Sequence, residues 1–209
     1  RELHQCPEVG LDTPVTAAFI SEKLRQMGID HRRNIGGSGV AGIVRGASQG
    51  KTLALRSDMD GLPIREETGL PFGSTNGSMH ACGHDAHMAM LLGAAKLLQD
   101  NRSPLKGNVK LIFQPGEEGL GGAKRMIEDG VLEDPQVDAI LGQHIFITEH
   151  LLPGQVGVYY GNMMASMDHF RMKIIGRGCH GAMPEKGIDP VVIAGQIITA
   201  LQTIISREI

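Results

Sequence analysis

The chain has 209 residues, enough for one full hydrophobic core, or one core plus part of a second. Its formal net charge of -3, with 29 glycines and no tryptophan, is ordinary for a soluble globular protein, and no basic patch supports a nucleic-acid role. No apolar run approaches the length of a membrane span. Three widely spaced cysteines make no disulfide framework and fit a reducing compartment, so a cytoplasmic location is expected.

Taken in order, the first element predicted is a helix with Thr13 as N-cap and Pro14 in its first turn, closed by Gly28 after Met27. Ala17, Ile20, Leu24 and Met27 give it one apolar face. Gly-rich turns follow, then strand candidates over Gly39 to Val44 and Thr52 to Leu55. The second runs into Arg56-Ser57-Asp58-Met59-Asp60-Gly61-Leu62-Pro63, which places carboxylates at the carboxyl end of a strand, where open α/β sheets put their chemistry.

Met79-His80-Ala81-Cys82-Gly83-His84-Asp85-Ala86-His87 comes next, directly ahead of a helix over Asp85 to Gln99. Gly83 allows a bend tight enough for Cys82 and His84 to face one point. Thiolate and imidazole are donors that borderline-soft divalent metals prefer, and the positive end of the helix is expected to help hold Cys82 as thiolate. An isolated C-x-H is more often a buried Cys beside a capping Asp, so the remaining strands decide the matter. Asn108 to Phe113 is a strand ending in Gln114-Pro115-Gly116-Glu117-Glu118, Gly121 to Asp129 is a helix, and Val137 to Leu141 is a strand ending in His144.

Three strands thus deliver acid or histidine at one end. Their alternation with helices predicts a mostly parallel α/β sheet with helices on both faces. Cys82, His84, Glu118 and His144 are the candidate metal ligands. Neighbouring residues at a strand end point in different directions, so Glu118 is read as a ligand and Glu117 as the general base of a metal-assisted hydrolase. Asp58, Asp60 and Asp85 are expected to fix the ligand imidazoles, and Asp60 is counted with the catalytic residues. His87 is read as structural or orienting rather than as a ligand, and His4 stays unassigned.

Beyond Tyr160 the texture changes. Asp168 to Ile175 alternates like a half-buried strand, and Asp189-Pro190 opens a helix running to Ile209. A boundary near residue 165 therefore separates residues 1–165 from 166–209, which are only the start of a second domain. That last helix has no closing cap, and Arg1 opens inside a polar segment, so the chain is expected to be a fragment.

The segments Leu3-His4-Gln5-Cys6-Pro7-Glu8, Leu55 to Pro63, Met79 to His87, Phe113 to Gly119 and His180-Gly181-Ala182-Met183-Pro184 resemble the M20 metallopeptidase family. The match is to its amidohydrolase branch of hippurate hydrolases, N-acyl-amino-acid deacylases and auxin-conjugate hydrolases. The resemblance implies a zinc-peptidase-like catalytic domain holding two divalent metal ions. It also implies an inserted α+β, ferredoxin-like lid that mediates dimerisation. Cys82 would bridge the ions, Glu118 would complete one and His84 with His144 the other. Glu117 would be the base, and His180 would reach the reacting carbonyl from the lid. Zinc is favoured by the Cys/His/Glu donor set, with manganese, cobalt or nickel open.

The implied partner is a small N-acyl amino acid, and the implied full-length assembly a homodimer or tetramer, with no nucleic acid or membrane involved. A dipeptidase or carboxypeptidase, and an inactive binding or dimerisation module, are the alternatives. The family's last ligand, a histidine far towards the C-terminus, has no counterpart here, so the isolated chain is expected to be inactive.

Overall fold

The structure, a computed structural model, describes residues 1–146, 151–164 and 169–204. It divides into two compact units, Arg1–His150 and Leu151–Ile209. The boundary expected at residue 165 lies outside the described residues. Among them, no helix is long and apolar enough to cross a membrane.

The first unit is built on one five-stranded sheet: β1 (Asp30–Ile35), β2 (Gly39–Arg45), β3 (Ser48–Asp58), β4 (Lys106–Gln114) and β5 (Ala139–Gly142). Their spatial order is β1-β2-β4-β3-β5, with β4, β3 and β5 parallel and the β1–β2 hairpin antiparallel to its neighbours. The expected parallel sheet is therefore its chemistry-bearing half. β1 escapes the sequence pattern because Asp-His-Arg-Arg-Asn carries no apolar alternation, and only Ile35 is buried, as suits a polar edge strand.

Side chains alternate across β4: Val109, Leu111 and Phe113 enter one apolar cluster, and Ile112 enters another. The first cluster is covered by α2 (Pro14–Gln26) and α3 (His84–Asp100), through Ile20, Leu24, Met88 and Leu92. The second is covered by α4 (Gly122–Glu128), with Met126 against Ala54 and Ile112. A short α1 (Glu2–Gln5) precedes them. Each fully buried large apolar side chain contributes about 1.5–3 kcal/mol. An exposed ion pair such as Lys124–Glu128 contributes roughly 0–1 kcal/mol, so these two clusters hold the sheet.

The start of α2 is capped differently from expectation. Thr13 occupies the N-cap position but makes no side-chain cap bond; its hydroxyl is buried and unpartnered. The Glu8 carboxylate accepts the Val15 and Thr16 N–H groups instead, at 3.1 and 2.8 Å. Glu8 lies five residues before the helix N-cap, beyond the reach of a local capping rule.

In the second unit, α5 (Pro190–Thr203) starts as expected, with Asp189 accepting the Val191 N–H at 2.8 Å. Its expected last turn lies outside the described residues. Residues 169–175 form no strand; Phe170, Met172 and Ile175 are exposed, and the first backbone pairing after them is the single bridge of Arg177 with Ile188. An extended segment needs a neighbouring strand to complete its ladder, and alternation alone cannot supply one.

Candidate metal centre

The parallel strands β3, β4 and β5 bring their carboxyl ends together beside the first turn of α3. Gly83 is the N-cap of α3 and is left-handed, with φ +82°. A Cβ there would lie 2.3 Å from Ile145 Cδ1, so the loop needs glycine for both its backbone angle and its contact. This turn sets Cys82 and His84 against His144, with one donor atom from each lying within 4.8 Å of the others. Cys82 Sγ and His144 Nε2 are 3.3 Å apart. His84, Glu117 and Glu118 form a second such group, with Glu118 Oε1 4.0 Å from His84 Nε2.

Hydrogen-bond partners fix the histidine tautomers. His84 Nδ1 lies 2.7 Å from the Asp60 carbonyl, which can only accept, so the proton sits on Nδ1 and Nε2 keeps its lone pair. His144 Nδ1 donates in the same way to the Ile145 carbonyl at 2.5 Å. Both ligand candidates therefore offer Nε2. His84 Nε2 and Glu118 Oε1 are buried without a hydrogen-bond partner, a costly state for two polar atoms facing one space.

The electrostatics match. Burial, then the negative charges of Glu118, Glu117 and Asp58, push the Cys82 thiol up to about 11. The helix end expected to favour a thiolate is thus outweighed by burial and by the surrounding carboxylates. Burial lowers the pKa of His84, but Asp60 and Asp58 outweigh it and raise it above the usual histidine value. The negative charge of these carboxylates is what a divalent cation would neutralise, and the chemistry of thiol, imidazole and carboxylate suits such an ion.

Asp60 contacts the His84 imidazole through its backbone carbonyl and also holds the glutamate segment. Its carboxylate lies 3.7 Å from His84 Nδ1 and accepts the Glu117 N–H at 3.0 Å and the Glu118 N–H at 3.2 Å. Asp58 accepts from His87 Nδ1 at 2.7 Å and from Arg56 at 2.9 Å. Burial raises the pKa of Asp58, but the His87 hydrogen bond and the Arg56 charge outweigh it and leave the carboxyl below its usual range. Asp85, expected to serve a ligand, instead accepts from His4 Nδ1 at 2.9 Å, while His4 Nε2 meets Glu66 at 3.1 Å. Sequence reasoning left His4 unassigned and missed Glu66, since Arg65-Glu66-Glu67 reads as a solvated charge run. His80 is buried with neither ring nitrogen partnered, and burial lowers its pKa. His180 belongs to the second unit, where its exposed ring accepts the Ala182 N–H at 3.1 Å.

Residues 54–208 match the model of peptidase family M20/M25/M40. The chain belongs to this family. Among its relatives, the N-acetyl-L-cysteine deacetylase of Bacillus subtilis is 47% identical over the whole chain, which corresponds to 50% of that protein. The chain thus spans about half the length of the curated relatives it matches. Two solved structures share the fold. The YXEP protein of Bacillus subtilis, described as a dinuclear metal binding peptidase from the M20 family, superposes with TM-score 0.65 and 42% identity, over 68% of this chain and 40% of that one. A protein from methicillin-resistant Staphylococcus aureus does so with TM-score 0.80 and 38% identity, over 99% and 55%.

Proposed function

We propose that this M20 chain carries the larger part of the active site of a metal-dependent amidohydrolase that cleaves N-acyl amino acids. The observation that carries the reading is the convergence of Cys82, His84 and His144, with the buried, unpartnered Nε2 of His84 and Oε1 of Glu118 facing the same space. Cys82 would be shared between two divalent ions, Glu118 would complete one and His84 with His144 the other. Zinc suits this donor set best, with manganese, cobalt and nickel as competitors. When bound, such ions supply Lewis-acid chemistry, acidifying water and stabilising negative charge on oxygen.

The chain's own residues supply the rest. Glu117, with its side chain 39% exposed against 27% for Glu118, is the carboxylate that can accept the proton of the attacking water and pass it to the leaving amine. Asp60 holds its backbone. Products are a carboxylic acid and a free amino acid. Residues 1–165 are read as the catalytic part and 166–209 as the start of a lid. From that lid His180 would help stabilise the reacting carbonyl. A homodimer or tetramer, in the cytoplasm, completes the proposal; the three free cysteines fit a reducing compartment.

Primary-amine release by the intact gene product, from N-acetyl and N-benzoyl amino acids and from dipeptides, tests the reading. Chelator-sensitive release from the acylated substrates is expected, and Glu117→Gln should reduce it by about 10²–10⁴-fold while sparing bound metal. Release from dipeptides alone would favour a peptidase, and silence with metal bound would favour a binding module.

A further inference from the structure

Three histidines of this site share one tautomer, and they use it differently. His84 and His144 donate from Nδ1 and turn Nε2 towards the proposed metal site, where His144 Nε2 lies 3.3 Å from Cys82 Sγ, whereas His87 donates from Nδ1 to Asp58 and accepts the Ile145 N–H on Nε2 at 2.9 Å. Asp58, His84 and His87 also form a compact group of potential donors, all buried. Both nitrogens of His87 are already engaged there, so this group cannot bind a further ion without breaking two hydrogen bonds.

We propose that His87 is a positioning residue for His144, acting through the Ile145 peptide; the proposal rests on the reading of His144 as a metal ligand. Ile145 lies between two imidazoles, giving its N–H to His87 and its carbonyl to His144 Nδ1. The rings of His87 and His144 also pack edge to face, with centroids 4.4 Å apart. The Ile145 side chain closes over Gly83, tying the same segment to the Cys82 turn. This matters because β5 ends at Gly142 and His144 follows on an exposed segment with no ladder to hold it. An unfixed ligand loop must be ordered each time metal binds, at an entropic cost that His87 removes in advance. Asp58, held by Arg56, keeps the proton on His87 Nδ1 and so keeps Nε2 an acceptor.

Amide hydrogen exchange and cobalt titration of the 209-residue chain test this together, on wild type, His87→Leu and His87→Gln. In the metal-free wild type the Ile145 N–H is expected to exchange slowly. It should exchange at least about tenfold faster in His87→Leu, with partial protection restored by the glutamine oxygen of His87→Gln. Cobalt affinity should fall by about 10- to 100-fold in His87→Leu and recover in part in His87→Gln. A role in packing alone would leave the two variants equal. An Ile145 N–H unprotected in wild type overturns the tether, and that measurement stands whether or not the variants fold. A His87→Leu titration superimposable on wild type overturns it as well. Absence of cobalt binding by wild type would instead sink the metal reading, leaving exchange to decide the tether.

Discussion

The Asp60 carboxylate accepts the backbone N–H of Glu117 at 3.0 Å, and its second oxygen takes the N–H of Glu118. Through its own carbonyl the same residue fixes His84. One buried residue just past the end of β3 thus aligns the proposed base and two proposed ligands, the glutamates through its carboxylate and His84 through its carbonyl.

Asp60→Asn is predicted to lose this alignment. An amide can present one acceptor oxygen, and its NH₂ would face an N–H donor. Cobalt affinity should drop by about 10- to 100-fold, and the thermal midpoint should fall by an amount matching a lost charged hydrogen bond, about 1.5–3 kcal/mol. Calorimetry and a cobalt titration read both effects.

Gly83→Ala should damage the site more than the fold. A residue with a Cβ at φ +82° costs about 1 kcal/mol, which α3 and its core can absorb. The new methyl would also lie 2.3 Å from Ile145 Cδ1 and displace the segment carrying His144. Near-native stability with clearly weakened cobalt binding is the expected pair of results.

His4 is predicted to make stability depend on pH. Burial of its ring opposes the charge, but the hydrogen bonds to Glu66 and Asp85 outweigh it and raise its pKa above 6.5. Glu66 is held at about 2 by Thr68, the Ser74 N–H and His4. Two carboxylates on two ring nitrogens demand the imidazolium, so the raised folded-state value stabilises the fold fully below the unfolded value. The increment is lost as pH rises through the folded value. Urea midpoints of wild type and His4→Gln should differ most below the unfolded-state value, at roughly pH 5.5, and draw together as pH rises through the raised folded-state value. A gap that widens with pH would refute the assignment.

Lys110 points from β4 into the loop after α4, where Nζ donates to the carbonyls of Val131, Glu133 and Pro135 at 2.9, 2.5 and 3.1 Å. Burial lowers its pKa. Lys110→Met fills the space but strands those acceptors, each costing about 1–3 kcal/mol if left dry. A loss of about 2 kcal/mol in a urea titration is predicted, with cobalt binding unchanged because the loop lies away from the ligands.

Much of this was legible in the sequence because it depends on local pattern. Apolar alternation in 108–113 and the helical face of Ala17, Ile20 and Leu24 gave β4 and α2, and carboxylates at strand ends marked the site. What stayed hidden depends on contacts far apart in the chain. Glu8 caps α2 from outside any capping motif, and β1 forms as a polar hairpin partner with nothing apolar to announce it. Asp85 faces His4 rather than a ligand, a pairing across 81 residues. The Cys82 thiol shows the same limit: the helix end is visible in sequence, but the burial and the three-dimensional crowd of carboxylates that outweigh it are not.

Cobalt titration of the 209-residue chain, read by absorption, tests the central claim most directly. A thiolate-to-cobalt charge-transfer band is predicted in wild type and should persist in Glu117→Gln, because that carboxylate is assigned to proton transfer. The band should vanish in Cys82→Ser, and binding should weaken sharply in His84→Ala. A wild type without the band, or a band that survives Cys82→Ser, would contradict a metal centre built on Cys82, His84, Glu118 and His144.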